Sequence, residues 1–188
     1  ISIREYVKVH APFYPSFDLG MFEKFLNEFD VDAMQKLNNL SYGQKKKFLI
    51  SFGLATQTKI LLMDEPTNGL DIPSKSQFRR IMASSVSENR CVIISTHQVR
   101  DLVSIIDYIT ILEKGKIIFH HNAFEVSEKI SFGFVGDGED HQILYSEEVL
   151  GGRKAILKKN GKDSEIDMEL LFNAVISNPS VIENEFKS

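Results

Sequence analysis

Apolar positions in the first forty residues recur at helical spacing. Ile3, Tyr6, Val7 and Val9 lie behind Ser2-x-x-Glu5, the spacing of a capping box, and predict a short amphipathic helix that Pro12 and Pro15 end. Met21, Phe22, Phe25, Leu26 and Phe29 give Leu19 to Phe29 a Phe-rich helical face suited to core packing. After the break at Asp30-Val31-Asp32, another helical piece leads to Asn38-Asn39. The pattern then changes. A helix after Ser41 runs to about Ala55, the apolar run Ile60 to Met63 follows, and Pro73, with Asp71 as N-cap, opens a helix to about Val86. Cys91 to Ser95 is a second apolar run, Val99 to Ile106 a helix, and Tyr108 to Leu112 a third run. Short apolar runs alternating with helices predict an α/β unit, with strands buried on both faces of a parallel sheet. Lys114-Gly115 turns the chain into Lys116 to His120 as a hairpin. Beyond Asn122 the signals weaken. Gly133, Gly136, Gly138 and Gly151-Gly152 punctuate strand-like runs at Ile143 to Tyr145 and Ala155 to Lys159, and Asp167 to Ser177 reads as a helix with Met168, Leu171, Phe172 and Val175 on one face.

Composition removes several function classes. The net charge is −4 and no block of like charges stands out, so no nucleic-acid partner is expected. The longest aliphatic stretches fall far short of the ~18 to 20 apolar residues that span a bilayer, so any membrane role must run through a partner. The single cysteine, Cys91, excludes an internal disulfide; its place in an apolar run predicts a buried, unreactive thiol, and a reducing compartment fits. Ile1 to Ala11 carries Arg4, Glu5 and Lys8 and does not read as a signal peptide, while an initial Ile points to a piece of a longer product.

Candidate chemistry gathers at three places. Asp64-Glu65 closes the first apolar run, and ligands of open α/β sheets bind outside the carboxyl ends of strands. Neighbouring side chains there point in different directions, so one carboxylate can serve Mg²⁺ and the other a nucleophilic water; a solvated loop entry is the plain alternative. Thr96-His97 closes the second run, so His97 can lie beside Asp64 and Glu65 if the strands are neighbours; otherwise it is a cap or a surface residue. The third place is Ser41-Tyr42-Gly43-Gln44, followed by Lys45, Lys46 and Lys47. Ser41 and Gln44 have capping-box spacing, but three lysines near a helix start oppose its dipole. An anion at that end would relieve the conflict, and Gly43 would let it approach the backbone. His10, His120, His121 and His141 lack such company, and His120-His121 reads as a strand end rather than a metal site.

Taken together, Leu40-Ser41-Tyr42-Gly43-Gln44, then Ile60 to Asp64 with Glu65-Pro66-Thr67-Asn68-Gly69-Leu70-Asp71, then Ser95-Thr96-His97 closely resemble the nucleotide-binding domain of ABC-type ATPases. Order and spacing match that family's signature loop, Walker B strand with its catalytic Glu, D-loop and switch His. The likeness is firm over Leu40 to His120 and looser before it. Tyr42 stands where many members have Gly. Nowhere does Gly-x-x-x-x-Gly-Lys-Ser/Thr occur; Gly115-Lys116 and Gly161-Lys162 lack its other residues.

The resemblance implies an α/β fold: an incomplete P-loop NTPase with a RecA-like parallel sheet, a helical subdomain over 1–39, an α/β core over 40–122 and a small β-rich C-terminal accessory segment over 123–188. It implies ATP hydrolysis at sites shared by two nucleotide-binding domains, as a homodimer or heterodimer. Asp64 would serve the Mg²⁺ shell, Glu65 would polarise the attacking water, and His97 would contact the γ-phosphate. Ser41, Gly43 and Gln44 would meet the ATP of the opposite domain, and Asp71 would lie across the dimer seam. The leading expectation is the ATPase subunit of a transporter, cytoplasmic and held at the inner membrane face by a transmembrane transporter subunit. A soluble ABC-type ATPase and a non-catalytic regulatory domain are the alternatives. With the P-loop expected before Ile1, the chain alone should neither bind ATP tightly nor hydrolyse it, and should expose apolar surface prone to pairing.

Overall fold

A computed structural model describes residues 1–85, 87, 89–136, 143–159, 161 and 163–187. His141, Gly138, Lys162 and the expected helix end at Val86 lie outside them. The chain divides into two compact units, Ile1–Asp101 and Leu102–Ser188.

The first unit opens with α1 (Ile3–His10), α2 (Leu19–Glu28) and α3 (Tyr42–Ala55). Each start carries a side-chain cap: the reciprocal Ser2/Glu5 and Ser41/Gln44 boxes on α1 and α3, and Asp18 accepting from the Met21 N–H on α2. Tyr6, Phe22, Phe48 and Phe52 meet between the helices, with Tyr6 edge-on to Phe48 and Phe52 at 5.3 and 5.5 Å. Such edge-to-face packing adds to what area burial alone gives. The helical piece expected after Asp32 is reduced to a 3₁₀ turn, Leu37–Asn39. Its backbone is used elsewhere: Ile3 and Arg4 donate to the carbonyls of Gln35 and Ala33, and Leu37 donates to Ile1.

After α3 come β1 (Ile60–Asp64), α4 (Ile72–Ser85) and β2 (Cys91–Ser95). β1 and β2 pair in parallel, from Ile60 opposite Cys91 to Asp64 opposite Ser95. Leu61 packs over Gly53 of α3, so one face of the pair is half-buried. The other is open, with Ile60, Leu62 and Ile93 exposed. The expected burial on both faces therefore does not hold, and Cys91, which shares the open face, is exposed rather than buried. Arg90 joins this layer to the helices. Its guanidinium donates to the Leu54 and Gly53 carbonyls at the C-terminal end of α3.

Val99–Ile106 does not form the expected helix but two 3₁₀ turns, Val99–Asp101 and Val103–Ile105; the β-branched Val99, Val103, Ile105 and Ile106 disfavour an α-helix. In the second unit, β3 (Tyr108–Glu113) pairs antiparallel with β4 (Lys116–Asn122) instead of extending the parallel pair. Lys114 and Gly115 both have positive φ, 49° and 76°, as a two-residue hairpin turn requires. α5 (Ala123–Lys129) leads into a three-stranded antiparallel sheet in the order β5 (Ile130–Val135), β7 (Gly152–Lys158), β6 (Ile143–Val149). Then follow α6 (Met168–Ser177), capped by Asp167, and α7 (Pro179–Glu183). His121 is built into this unit: its Nε2 lies 3.2 Å from Glu183 and its ring stacks on Phe186.

Candidate active site

The parallel register brings the ends of β1 and β2 together, and the side chains there interlock. The Glu65 N–H donates to the Ser95 carbonyl at 2.9 Å, carrying the ladder one residue past β1. Ser95 Oγ donates to Asp64 Oδ1. Glu65 is held from its other side: Oε2 accepts from Thr96 Oγ1 at 3.0 Å, while Oε1 accepts from the His97 N–H at 3.0 Å and meets His97 Nδ1 at 2.6 Å. The tripeptide Ser95-Thr96-His97, which closes β2, thus clamps both acids, each by different donors.

This arrangement favours the ionised form of Glu65. Partial burial works to raise the Glu65 pKa, but the hydrogen bonds from His97 and Thr96 favour the carboxylate more, and the group lies below its ordinary value. A carboxylate beside Nδ1 requires the proton on that nitrogen, so Nε2 is the His97 atom left to face a ligand. Three donors occupy Glu65, which leaves room among its four lone-pair positions for one water.

Glu65 also has a positive φ of 47°, a left-handed conformation that costs a non-glycine residue roughly 1 to 2 kcal/mol. Its carbonyl is caught by Lys46 Nζ at 2.8 Å. Lys47 Nζ likewise donates to the Phe29 carbonyl at 3.1 Å. Two of the three lysines near the start of α3 thus have carbonyl partners within the chain, which the sequence argument from the helix dipole did not anticipate. Ser41 and Gln44 cap each other, and Gly43 lies so close to the Gly69 carbonyl that a Cβ would sit 3.2 Å from it. Asp71 caps α4 through the Ser74 N–H at 2.9 Å. The structure therefore gathers Asp64, Glu65 and His97 at one strand edge, and sets Ser41, Gly43 and Gln44 at the start of α3 against the loop that ends at Asp71. Sequence reasoning gave no role to Lys46, Ser95 or Thr96; the pair of consecutive hydroxyl residues at the end of the second apolar run was the one signal that could have pointed to the last two.

The edge suits a hard cation. Asp64 is exposed, and only its Oδ1 takes the Ser95 hydroxyl, so oxygen donors stand at the strand end. Among the described residues no group of three or more His, Cys, Asp or Glu forms a metal cage. One carboxylate with neighbouring oxygens matches Mg²⁺, which is usually held by one or two carboxylates together with water and substrate phosphate.

Residues 4–100 match the family described as "AAA domain, putative AbiEii toxin, Type IV TA system". The chain is 38% identical over 87 residues to the energy-coupling factor transporter ATP-binding protein EcfA2 of Mycoplasmoides gallisepticum, covering 46% of this chain and 27% of that protein. It is also 38% identical over 92 residues to the cobalt import ATP-binding protein CbiO of Salmonella paratyphi A, covering 49% of this chain and 34% of that protein. The chain belongs to the AAA-domain ATPases of ABC type. A solved structure of a "putative Cobalt transport ATP-binding protein" shares the fold of this ABC-type domain at a TM-score of 0.59 and 18% identity, over 88% of this chain and 61% of that one. The chain thus spans about a quarter to a third of the length of these two curated relatives. No helix among its described residues is long and apolar enough to cross a membrane.

Proposed function

We propose that this chain carries the hydrolytic edge of an ABC transporter's ATP-binding subunit, working with a membrane-spanning partner subunit. The observation that carries the reading is the clamp of Ser95, Thr96 and His97 on Asp64 and Glu65 at the end of a parallel strand pair. The relatives named for cobalt import and energy-coupling transport support it.

In this reading the substrate is ATP, and Asp64, its Oδ1 fixed by the Ser95 hydroxyl, would hold Mg²⁺. When bound, Mg²⁺ neutralises charge on the phosphates. Glu65, already ionised, accepts a proton-bearing edge of the attacking water in its remaining lone-pair position. Thr96 and the His97 N–H keep that carboxylate aimed, and His97 offers Nε2 to the γ-phosphate, donating to it when the ring is protonated. Phosphoryl transfer asks little covalent chemistry of the protein, so positioning and charge dominate. Ser41, Gly43 and Gln44 face the nucleotide held by a second nucleotide-binding domain, with Asp71 at the seam between the two. The phosphate-binding loop is supplied from outside these 188 residues, and the three segments 1–39, 40–122 and 123–188 serve as helical subdomain, α/β core and accessory segment.

The test is Glu65→Gln in the full-length protein. Turnover is expected to fall by ~10² to 10⁴ while ATP binding persists. Near-normal turnover would remove Glu65 from this role.

A further inference from the structure

The start of α3 and the loop that follows β1 touch at three points. Gly43 abuts the Gly69 carbonyl; the Tyr42 ring lies so close to Gly69 that a Cβ there would fall 2.4 Å from it; and Lys46 Nζ reaches the Glu65 carbonyl at 2.8 Å. Tyr42 and Lys46 are four residues apart and so share a helix face, with Nζ 5.9 Å from the Tyr42 ring centroid. Only Gly69, with φ of 79° and no Cβ, admits the ring.

Lys46 is poorly placed for the helix on which it sits. A cation in the first turns of a helix opposes the dipole, so its position calls for a compensating acceptor. That acceptor is the carbonyl of the one residue at this edge held in a left-handed conformation, Glu65 at φ 47°. A peptide strained in this way persists only where its surroundings over-determine it. The Ser95 carbonyl takes the Glu65 N–H on one side, and on the other the Glu65 C=O accepts from Lys46 Nζ at 2.8 Å and, less closely, from the Asn68 N–H at 3.3 Å.

We propose that Lys46 is a positioning residue for Glu65, a lever by which the Ser41–Gln44 end of α3 sets the direction of this chain's own water-polarising carboxylate. The inference rests on the ATPase reading for its meaning, since it links the loop facing the second domain's nucleotide to the acid serving the first. A shift of the first turn of α3 on phosphate engagement would move the Glu65 peptide through Lys46, with Tyr42 and Gly69 carrying the same motion into the loop.

The test is amide hydrogen exchange and ¹H–¹⁵N shifts of the labelled chain without nucleotide, comparing wild type, Lys46→Met, Lys46→Gln, Lys46→Arg and, as control, Lys24→Met on α2. Removing a hydrogen bond from a charged group should speed exchange of the Glu65 amide about tenfold or more in Lys46→Met and move the shifts of residues 65–69. Lys46→Gln, a shorter neutral donor, should show the same loosening and decides the matter if Lys46→Met does not fold. Lys46→Arg should return exchange to within about twofold of wild type, and Lys24→Met should leave it there. Exchange at Glu65 within about twofold of wild type in a folded Lys46→Met or Lys46→Gln protein would overturn the proposal. Because no nucleotide enters the readout, failure of the ATPase reading would show in Glu65→Gln turnover and leave this result standing.

Discussion

Phe22, Phe25 and Phe29, where α2 meets its neighbours, are at most 2% exposed, whereas Ile60, Leu62 and Ile93 on the parallel strand pair are 52 to 71% exposed. Both regions belong to one compact unit and both are rich in apolar side chains. The helical region closes on itself through stacked and edge-on rings. The strand pair is covered on one face only, and its order is concentrated at one end, where hydroxyls, an imidazole and a lysine fix two carboxylates and a strained peptide. Stability and chemistry are therefore housed separately: the rings hold the unit together, and the strand edge carries the candidate reaction.

The largest expected effect tests that separation. Phe22→Ala should lower unfolding free energy by about 3 to 5 kcal/mol, as large-to-small changes in an aromatic core do. Leu62→Ala should stay within about 0.5 kcal/mol, as for other exposed positions. Chemical denaturation of both variants reads the contrast, and a Leu62→Ala cost approaching that of Phe22→Ala would mean that the open face is covered in solution.

A smaller effect concerns charge at the loop between the two regions. The hydroxyl and N–H of Ser74 hold the Asp71 carboxylate below its ordinary pKa. A depressed folded-state pKa makes the cap's contribution fully present above the unfolded value, and that contribution is lost as pH falls through the folded one. The Ser74 amide shift should therefore titrate at a pH below the usual aspartate range, while amides among the aromatic helices stay still. In Asp71→Asn the Ser74 titration should vanish; a midpoint at or above the usual range would break the contrast.

Much of this was legible in the sequence where the signal is local. The Ser2/Glu5 and Ser41/Gln44 boxes, the Asp71 cap and the Lys114-Gly115 hairpin depend on residues within a few positions, and they form as read. The strand-edge placement of Asp64, Glu65 and His97 followed from two apolar runs whose ends had to meet if the strands were neighbours. Features set by distant partners were not legible. Cys91 looked buried because its run is apolar, but which face of a strand is covered depends on what packs there. Tyr108 to Leu112 read as the next strand of the α/β alternation, but among the described residues its sheet holds only β4, the partner that the Lys114-Gly115 turn supplies. Lys46 and Lys47 looked like unmet charges at a helix start because their carbonyl partners lie nineteen and eighteen residues away. Ala123–Lys129 and Ile130–Val135 were missed as helix and strand, since seven- and six-residue elements carry too few periods to stand out.

The central claim is that Glu65 and His97 act as one unit at the strand edge. A double-mutant cycle on ATP turnover of the full-length protein, with Glu65→Gln, His97→Ala and both together, tests it most directly. Groups that work only as a pair lose their joint contribution when either is removed, so the double variant should turn over no slower than the worse single one. Losses that multiply, each substitution lowering turnover by the same factor whether or not the other is present, would contradict the account.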